Sequence, residues 1–206
     1  MSVRFIGRAN VRKLLEPLEG TAGLTVYAGG SAEVVSDTEG VRHLFTPSFG
    51  LTHEAAYDRV HVEPLLEAIA RDYVVAVLLV RLGGYAAGMF EGEQLVRSKV
   101  GARFVKNRNK KGGSSSNRFR RRRVEQANAL IRDAADVAVS VLTEAPFSAL
   151  GGDRTAVNAV IDERPELAWL RERAIPRFFT VGDPRQRTLE TFPYDLYAVR
   201  VEELGA

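Results

Sequence analysis

The feature that most constrains this fold is the run YVVAVLLVRL, Tyr73 to Leu82. Nine of its ten residues are aliphatic or aromatic and only Arg81 is charged. A run this dense in β-branched side chains, and too short for a buried helix, predicts a central strand covered on both faces. Gly83-Gly84 follows as a two-residue hairpin signal, YAAGMFEG reads as the return strand, and Gly92 marks the next turn. EQLVRSKVGARFV then continues as a third, increasingly basic strand. The chain therefore enters its most unusual segment from a strand meander.

That segment is NRNKKGGSSSNRFRRRRVEQ, residues 107–126. Between Arg97 and Arg123 there are 12 Lys/Arg and no Asp or Glu, so the remaining 29 − 12 = 17 basic residues face 26 acidic ones. The net charge of +3 thus conceals an acidic body with one intensely basic segment. Such segregation predicts a polyanion partner. Residues of Gly, Ser, Asn, Lys and Arg bury no core, so the segment is expected to protrude as a loop. Ser116 or Asn117 can cap the helix that follows, with Arg118 and Arg120 to Arg123 filling its first turns. Each cation there costs about 0.3–1 kcal/mol against the helix dipole, and the same site favours a bound phosphate. A solvated basic tail explains the charge but not its place between strand and helix. A P-loop needs a Gly-Lys-Ser/Thr ending, and KKGGSSSN has its lysines on the wrong side of the glycines.

Ala127, Leu130, Ile131, Ala134, Ala138, Val141 and Leu142 recur at helical spacing, which predicts one long helix over about residues 117–144. Before the meander, VRKLLEPLE and HVEPLLEAIARD read as helical and GLTVYAGG as a short strand. After the long helix come a strand in PFSALGGD, a helix broken at Pro165, a strand in RFFTVGD and a last strand in YDLYAVRVEEL. Alternating helices and strands around a meander predict an α/β fold: a mixed β-sheet with flanking helices and a protruding basic Gly-Gly loop leading into a long helix. With 206 residues, 45% hydrophobic and 27% charged, the expectation is one domain over residues 1–206.

The absence of cysteine excludes disulfides, a thiolate nucleophile and thiolate metal sites. His43, His53 and His61 lack the spacing of a paired metal motif, and His43 and His61 read as surface or capping residues. GGDR, Gly151 to Arg154, reads as a strand-to-helix corner, Trp169 as packing, and Glu91 and Glu93 as the solvated tip of a hairpin. No apolar run reaches membrane-spanning length and the first residues carry no apolar signal core, so a soluble cytoplasmic protein is expected. The basic loop contains no carboxylate, histidine or thiol. Any chemistry at its tip must use backbone amides, hydroxyls and cations on a group that a partner supplies.

The stretch from VAVLLVRLGGYAAGMFEGEQLVRSKVGARF into KKGGSSSNRFRRRR, within residues 74–138, resembles the catalytic middle domain of eukaryotic and archaeal peptide-chain release factors. It is closer still to the bacterial single-domain release-factor-like peptidyl-tRNA hydrolases of ribosome rescue. That family carries a loop of pattern Gly-Gly-Gln-Ser-x-x-Arg-Phe before a basic helix. Gly112-Gly113 match the glycine pair, Ser115 the serine, and Arg118-Phe119 the Arg-Phe. The glutamine position holds Ser114, or Ser115 in relatives with a later register, and the nearest glutamine is Gln126.

The resemblance implies a ribosome-associated domain that binds the large subunit and peptidyl-tRNA and hydrolyses the ester joining peptide to tRNA. Gly112, Gly113, Ser114 and Ser115 are then the loop tip at that ester. Arg103, Lys106, Arg108, Lys110, Lys111, Arg118, Arg120, Arg121, Arg122 and Arg123 are the expected RNA ligands. No metal or organic cofactor is implied. The alternative is an RNA- or ribosome-binding module that lost hydrolysis with the loop glutamine.

Overall fold

The computed structural model describes residues 2–37, 40–103 and 116–204. The chain divides into two compact units, one of Met1–Asp72 with Pro193–Ala206 and one of Tyr73–Phe192. The first unit opens with β1 (Val3–Ile6) and α1 (Arg8–Leu15), followed by β2 (Gly23–Ala28), β3 (Ser31–Ser36), β4 (Val41–Thr46), β5 (Ala55–Tyr57) and α2 (Glu63–Ala70). The second contains β6 (Val74–Arg81), β7 (Gly84–Glu91), β8 (Gln94–Ala102), α3 (Ser116–Val141), β9 (Phe147–Gly152) and α4 (Arg154–Glu163). It continues through α5 (Trp169–Glu172), β10 (Ala174–Phe179) and the start of α6 (Gln186–Leu196). The chain then returns to the first unit with β11 (Val199–Glu203).

Two sheets are present where one mixed sheet was expected. In the first unit six strands run β1-β11-β4-β3-β2-β5, every neighbouring pair antiparallel. One face is apolar: Tyr27, Ala32, Val34, Phe45, Val199 and Val201 are buried with Val11 and Leu15 of α1 and Leu65 and Ile69 of α2. Pro64 stands in the first turn of α2, where a missing N–H costs no helical bond. The short strand β3 is not marked in the sequence, because it buries only alternate side chains and so lacks a dense apolar run.

The second sheet is mixed, in the order β10-β9-β6-β7-β8. Strand β9 runs parallel to β6 and β10, while β6, β7 and β8 form the expected antiparallel meander. The predicted central strand is central: Val75 to Val80 are all fully buried. Its hairpin lies one residue earlier than predicted, because Arg81 pairs with Gly84 and leaves Leu82-Gly83 as the turn. Gly83 has φ +116°, so the left-handed conformation falls there and Gly84 begins the strand.

Helices cover both faces of this sheet. On one, Leu78, Val80, Tyr85, Ala87 and Met89 pack with Leu130, Ala134 and Ala138 of α3 and with Val157, Val160 and Ile161 of α4. On the other, a side chain on Gly88 would meet Leu95 and Leu189, and Phe192 packs 4.8 Å from Phe179. The corner at Gly152 is tight: its φ is +100° and an added Cβ would lie 2.1 Å from the carbonyl oxygen of Val80. Asp153 then caps α4 by accepting a hydrogen bond from the N–H of Ala156 at 3.0 Å. Trp169 is buried in the same core, as expected. Helix α6 was missed, because Pro193 and the aromatic residues around it weaken a helical reading. The stretch YDLYAVRVEEL is therefore the end of that helix followed by β11.

Candidate RNA interface

The interface candidate is built where β8 ends and α3 begins. Strand β8 is an edge of its sheet, and its register on β7 shifts between Met89 and Phe90: Phe90 faces Leu95 while Met89 faces Arg97. The extra residue is Val96, and such a bulge re-aims every side chain beyond it. The strand's last residues are pinned from below. Gly101 faces Tyr85 across the pair, and a Cβ on Gly101 would lie 2.3 Å from the Tyr85 ring. The tyrosine therefore lies over the glycine backbone and closes the core at that corner. Burial raises the Tyr85 hydroxyl pKa, the charge of Asp133 raises it further, and Arg103 opposes both.

Immediately beyond, the N–H of Arg103 donates to the Gly83 carbonyl at 3.1 Å. Its guanidinium stands 2.8 Å from the Asp133 carboxylate, on α3. The helix itself has two parts. From Leu130 onward its inner face is core, whereas no side chain from Arg121 to Ala129 is buried. About 14 Å of described helix, Arg121 to Ala129, thus carries no buried side chain before Leu130.

The expected ligands divide accordingly. Arg121 and Arg122 are exposed and Arg123 is half-buried on the helix. Arg118 and Arg120 lie on its first turns, with side chains outside the described part. Lys106, Arg108, Lys110, Lys111, Gly112, Gly113, Ser114 and Ser115 lie outside the described residues. Arg103 is held by a carboxylate. The sequence reading missed Asp133, Tyr85 and the placement of Arg97 and Lys99. A glycine two residues before Arg103 in a strand, with an aromatic residue at the start of the preceding one, was the available signal.

Elsewhere, His61 is a partly buried network member: its Nδ1 lies 2.9 Å from Glu19 Oε1, and its carbonyl accepts from the Tyr27 hydroxyl at 2.6 Å. Among the described residues no group of three or more His, Asp or Glu side chains is placed to hold a metal ion, and no helix is long and apolar enough to cross a membrane.

No curated protein matches the chain in sequence. Among solved structures, an archaeal protein aligns with TM-score 0.37 and 14% identity, covering 94% of this chain and 74% of that one. The archaeal translation termination factor aRF1 aligns with TM-score 0.39 and 12% identity, covering 93% and 73%. Archaeoglobus fulgidus Pelota aligns with TM-score 0.32 and 12% identity, covering 91% and 58%. The family model of the Actinobacteria/chloroflexi VLRF1 release factor, acVLRF1, matches residues 73–202. That span is more than half of the chain and contains the whole meander, the basic segment and α3, so the chain belongs to the acVLRF1 release factor family.

Proposed function

We propose that the protein is a ribosome-associated peptidyl-tRNA hydrolase, acting in the cytoplasm to free the nascent peptide from tRNA during ribosome rescue or quality control. The observation that carries this reading is the pairing of a release-factor family match with cations on α3 that no described carboxylate neutralises. Arg121, Arg122 and Arg123 make no ion pair among the described residues, whereas Arg8, Arg12, Arg42, Arg164, Arg171 and Arg173 of the body each do. Uncompensated cations clustered on one helix are favourable partners for phosphates.

In this reading the basic segment docks on the large subunit and the acceptor end of tRNA. Lys106, Arg108, Lys110, Lys111, Arg118 and Arg120 to Arg123 bind phosphates, and Gly112 to Ser115 form the tip at the ester. Water adds to the ester carbonyl, and the bond to the tRNA ribose oxygen breaks. The products are a peptide with a free carboxyl group and a tRNA with its hydroxyl restored. A backbone amide following Gly113 donates to the developing oxyanion, and the Ser114 or Ser115 hydroxyl orients the water. The ribosome supplies the surrounding chemistry.

The test is single-turnover release of labelled peptide from peptidyl-tRNA on stalled ribosomes. Release above background that is lost in Gly113→Ala is expected. One observation favours the second reading, a binding module without hydrolysis: serine stands at both glutamine registers. Tight ribosome binding with no release would establish it.

A further inference from the structure

Two cations that none of the expected ligands includes lie on β8. Met89 faces Arg97 and Ala87 faces Lys99, so both share the sheet face on which Met89 and Ala87 pack with α3. The bulge at Val96 is what puts them there, since without the extra residue positions 97 and 99 would fall on the opposite face. Both are exposed, and neither makes an ion pair among the described residues, whereas Arg103 at the end of the same strand is held by Asp133. Their Cα atoms lie about 7 Å apart along the strand, with Arg97 about 20 Å from Arg103.

Cations on an edge strand also serve to block edge-to-edge pairing. Charges guard an edge from either face and a bulge guards it by twist alone, so neither device requires the two cations to lie on the α3 side. Here the bulge turns both charges toward the side of the sheet that carries α3. With no carboxylate between Arg97 and Arg123 in the chain, the positive potential on that side is continuous in sequence with the basic segment.

We infer that this face of β8 is an RNA-backbone contact, in which Arg97 and Lys99 bind phosphates of the tRNA acceptor-arm duplex. The inference rests on the RNA-docking part of the function proposed above and not on hydrolysis. If the loop tip reaches the ester at the end of the acceptor arm, the strand leading to that tip lies behind it, alongside the duplex that carries the ester. Phosphate contacts of this kind position a protein without reading sequence.

The experiment is equilibrium binding of a labelled acceptor-arm RNA minihelix to the full chain across a range of salt concentrations. Each phosphate contact contributes about 0.7–0.9 to the slope of log affinity against log salt, so Arg97→Ala with Lys99→Ala is expected to reduce the slope by between about 1 and 2. The conservative pair Arg97→Lys with Lys99→Arg is expected to keep it. Unchanged thermal melting separates a lost contact from a lost fold. A wild-type slope in the alanine pair overturns the inference, and aggregation of that pair with its slope intact assigns the two cations to guarding the edge. A slope change with isolated large subunits but not with the minihelix also overturns it, because the phosphates would then be ribosomal. A reduced minihelix slope in a protein that releases no peptide supports this contact while refuting hydrolysis.

Discussion

Arg103 and Asp133 join the end of β8 to the middle of α3 through one ion pair of 2.8 Å. Arg103 is the last described residue before the segment 104–115, so the pair ties the outgoing end of β8 to α3. The pairing favours a positioning role for Arg103, which the sequence alone groups with the phosphate ligands. Both side chains are more than 40% exposed, at 46% and 41%, so the pair contributes only about 0–1 kcal/mol to stability. Arg103→Asp and Asp133→Arg are each expected to leave thermal melting nearly unchanged and to lower RNA affinity. The double reversal is expected to restore much of the loss. An affinity that stays low in the double variant would return Arg103 to the phosphate ligands.

The corner beneath that pair is close-packed. Gly101→Ala places a methyl group 2.3 Å from the Tyr85 ring, and overpacking of that kind costs about 1–3 kcal/mol. Urea denaturation is expected to show a lowered midpoint, partly relieved by adding Tyr85→Leu, which opens space over the strand. If Gly101→Ala melts like the natural protein, the tyrosine does not close this corner.

Tyr85 also sets an alkaline limit. Its folded pKa is raised by burial and by Asp133, so the stability it contributes is complete below the unfolded tyrosine value of about 10 and is lost as pH rises through the folded one. Denaturation midpoints measured from pH 8 to 11 are expected to fall above about pH 10. Tyr85→Phe is expected to flatten part of that fall.

Two groups of the first unit are expected to shape stability on the acid side. Burial lowers the pKa of His43, whose Nδ1 is buried without a hydrogen-bond partner. Partial burial pushes Glu19 up, but its hydrogen bonds to His61 and to the Val62 N–H outweigh that and hold it below the usual carboxylate range. Both groups therefore contribute stability that is present above their unfolded values, about 6.5 and 4.3, and is lost as pH falls through the folded ones. His43→Phe is expected to reduce the decline that starts near about pH 6.5, and Glu19→Gln the decline below about pH 4.3. Unaltered pH profiles in both variants would contradict these assignments.

The second unit was more legible than the first. The run Tyr73–Leu82 announced a strand buried on both faces, and the apolar spacing after Arg123 announced α3, because each buries a continuous surface that leaves a periodic trace. The antiparallel sheet of the first unit buries alternate residues of short strands, and β11 joins β4 from the far end of the chain. No local pattern reports such a pairing. Arg97 and Lys99 could be seen as charge, but which face of the sheet they take depends on a one-residue bulge that the sequence does not mark.

The serine at the glutamine register gives a rate prediction. Losing one positioning or oxyanion contact costs about 2.7–4 kcal/mol of barrier, or 10² to 10³ in rate. Slow release by the natural protein is therefore expected, with acceleration toward that range in Ser114→Gln, or in Ser115→Gln if the later register holds. Single-turnover release at saturating protein measures it. Equal rates in all three proteins would separate the tip from the chemistry.

The central claim is that the Gly-Gly segment reaches the peptidyl-tRNA ester, and the composition provides a direct probe. The chain has no cysteine, so Ser115→Cys creates a single thiol that can carry a tethered iron chelate. Hydroxyl radicals generated from that chelate on stalled ribosomes cleave nearby RNA. Cleavage concentrated at the tRNA acceptor end and at the adjoining large-subunit RNA is the result this account predicts, with loss of those cuts when Arg121 to Arg123 are replaced by alanine. Cleavage confined to distant ribosomal RNA, or none above the untethered control while the protein is bound, would contradict it.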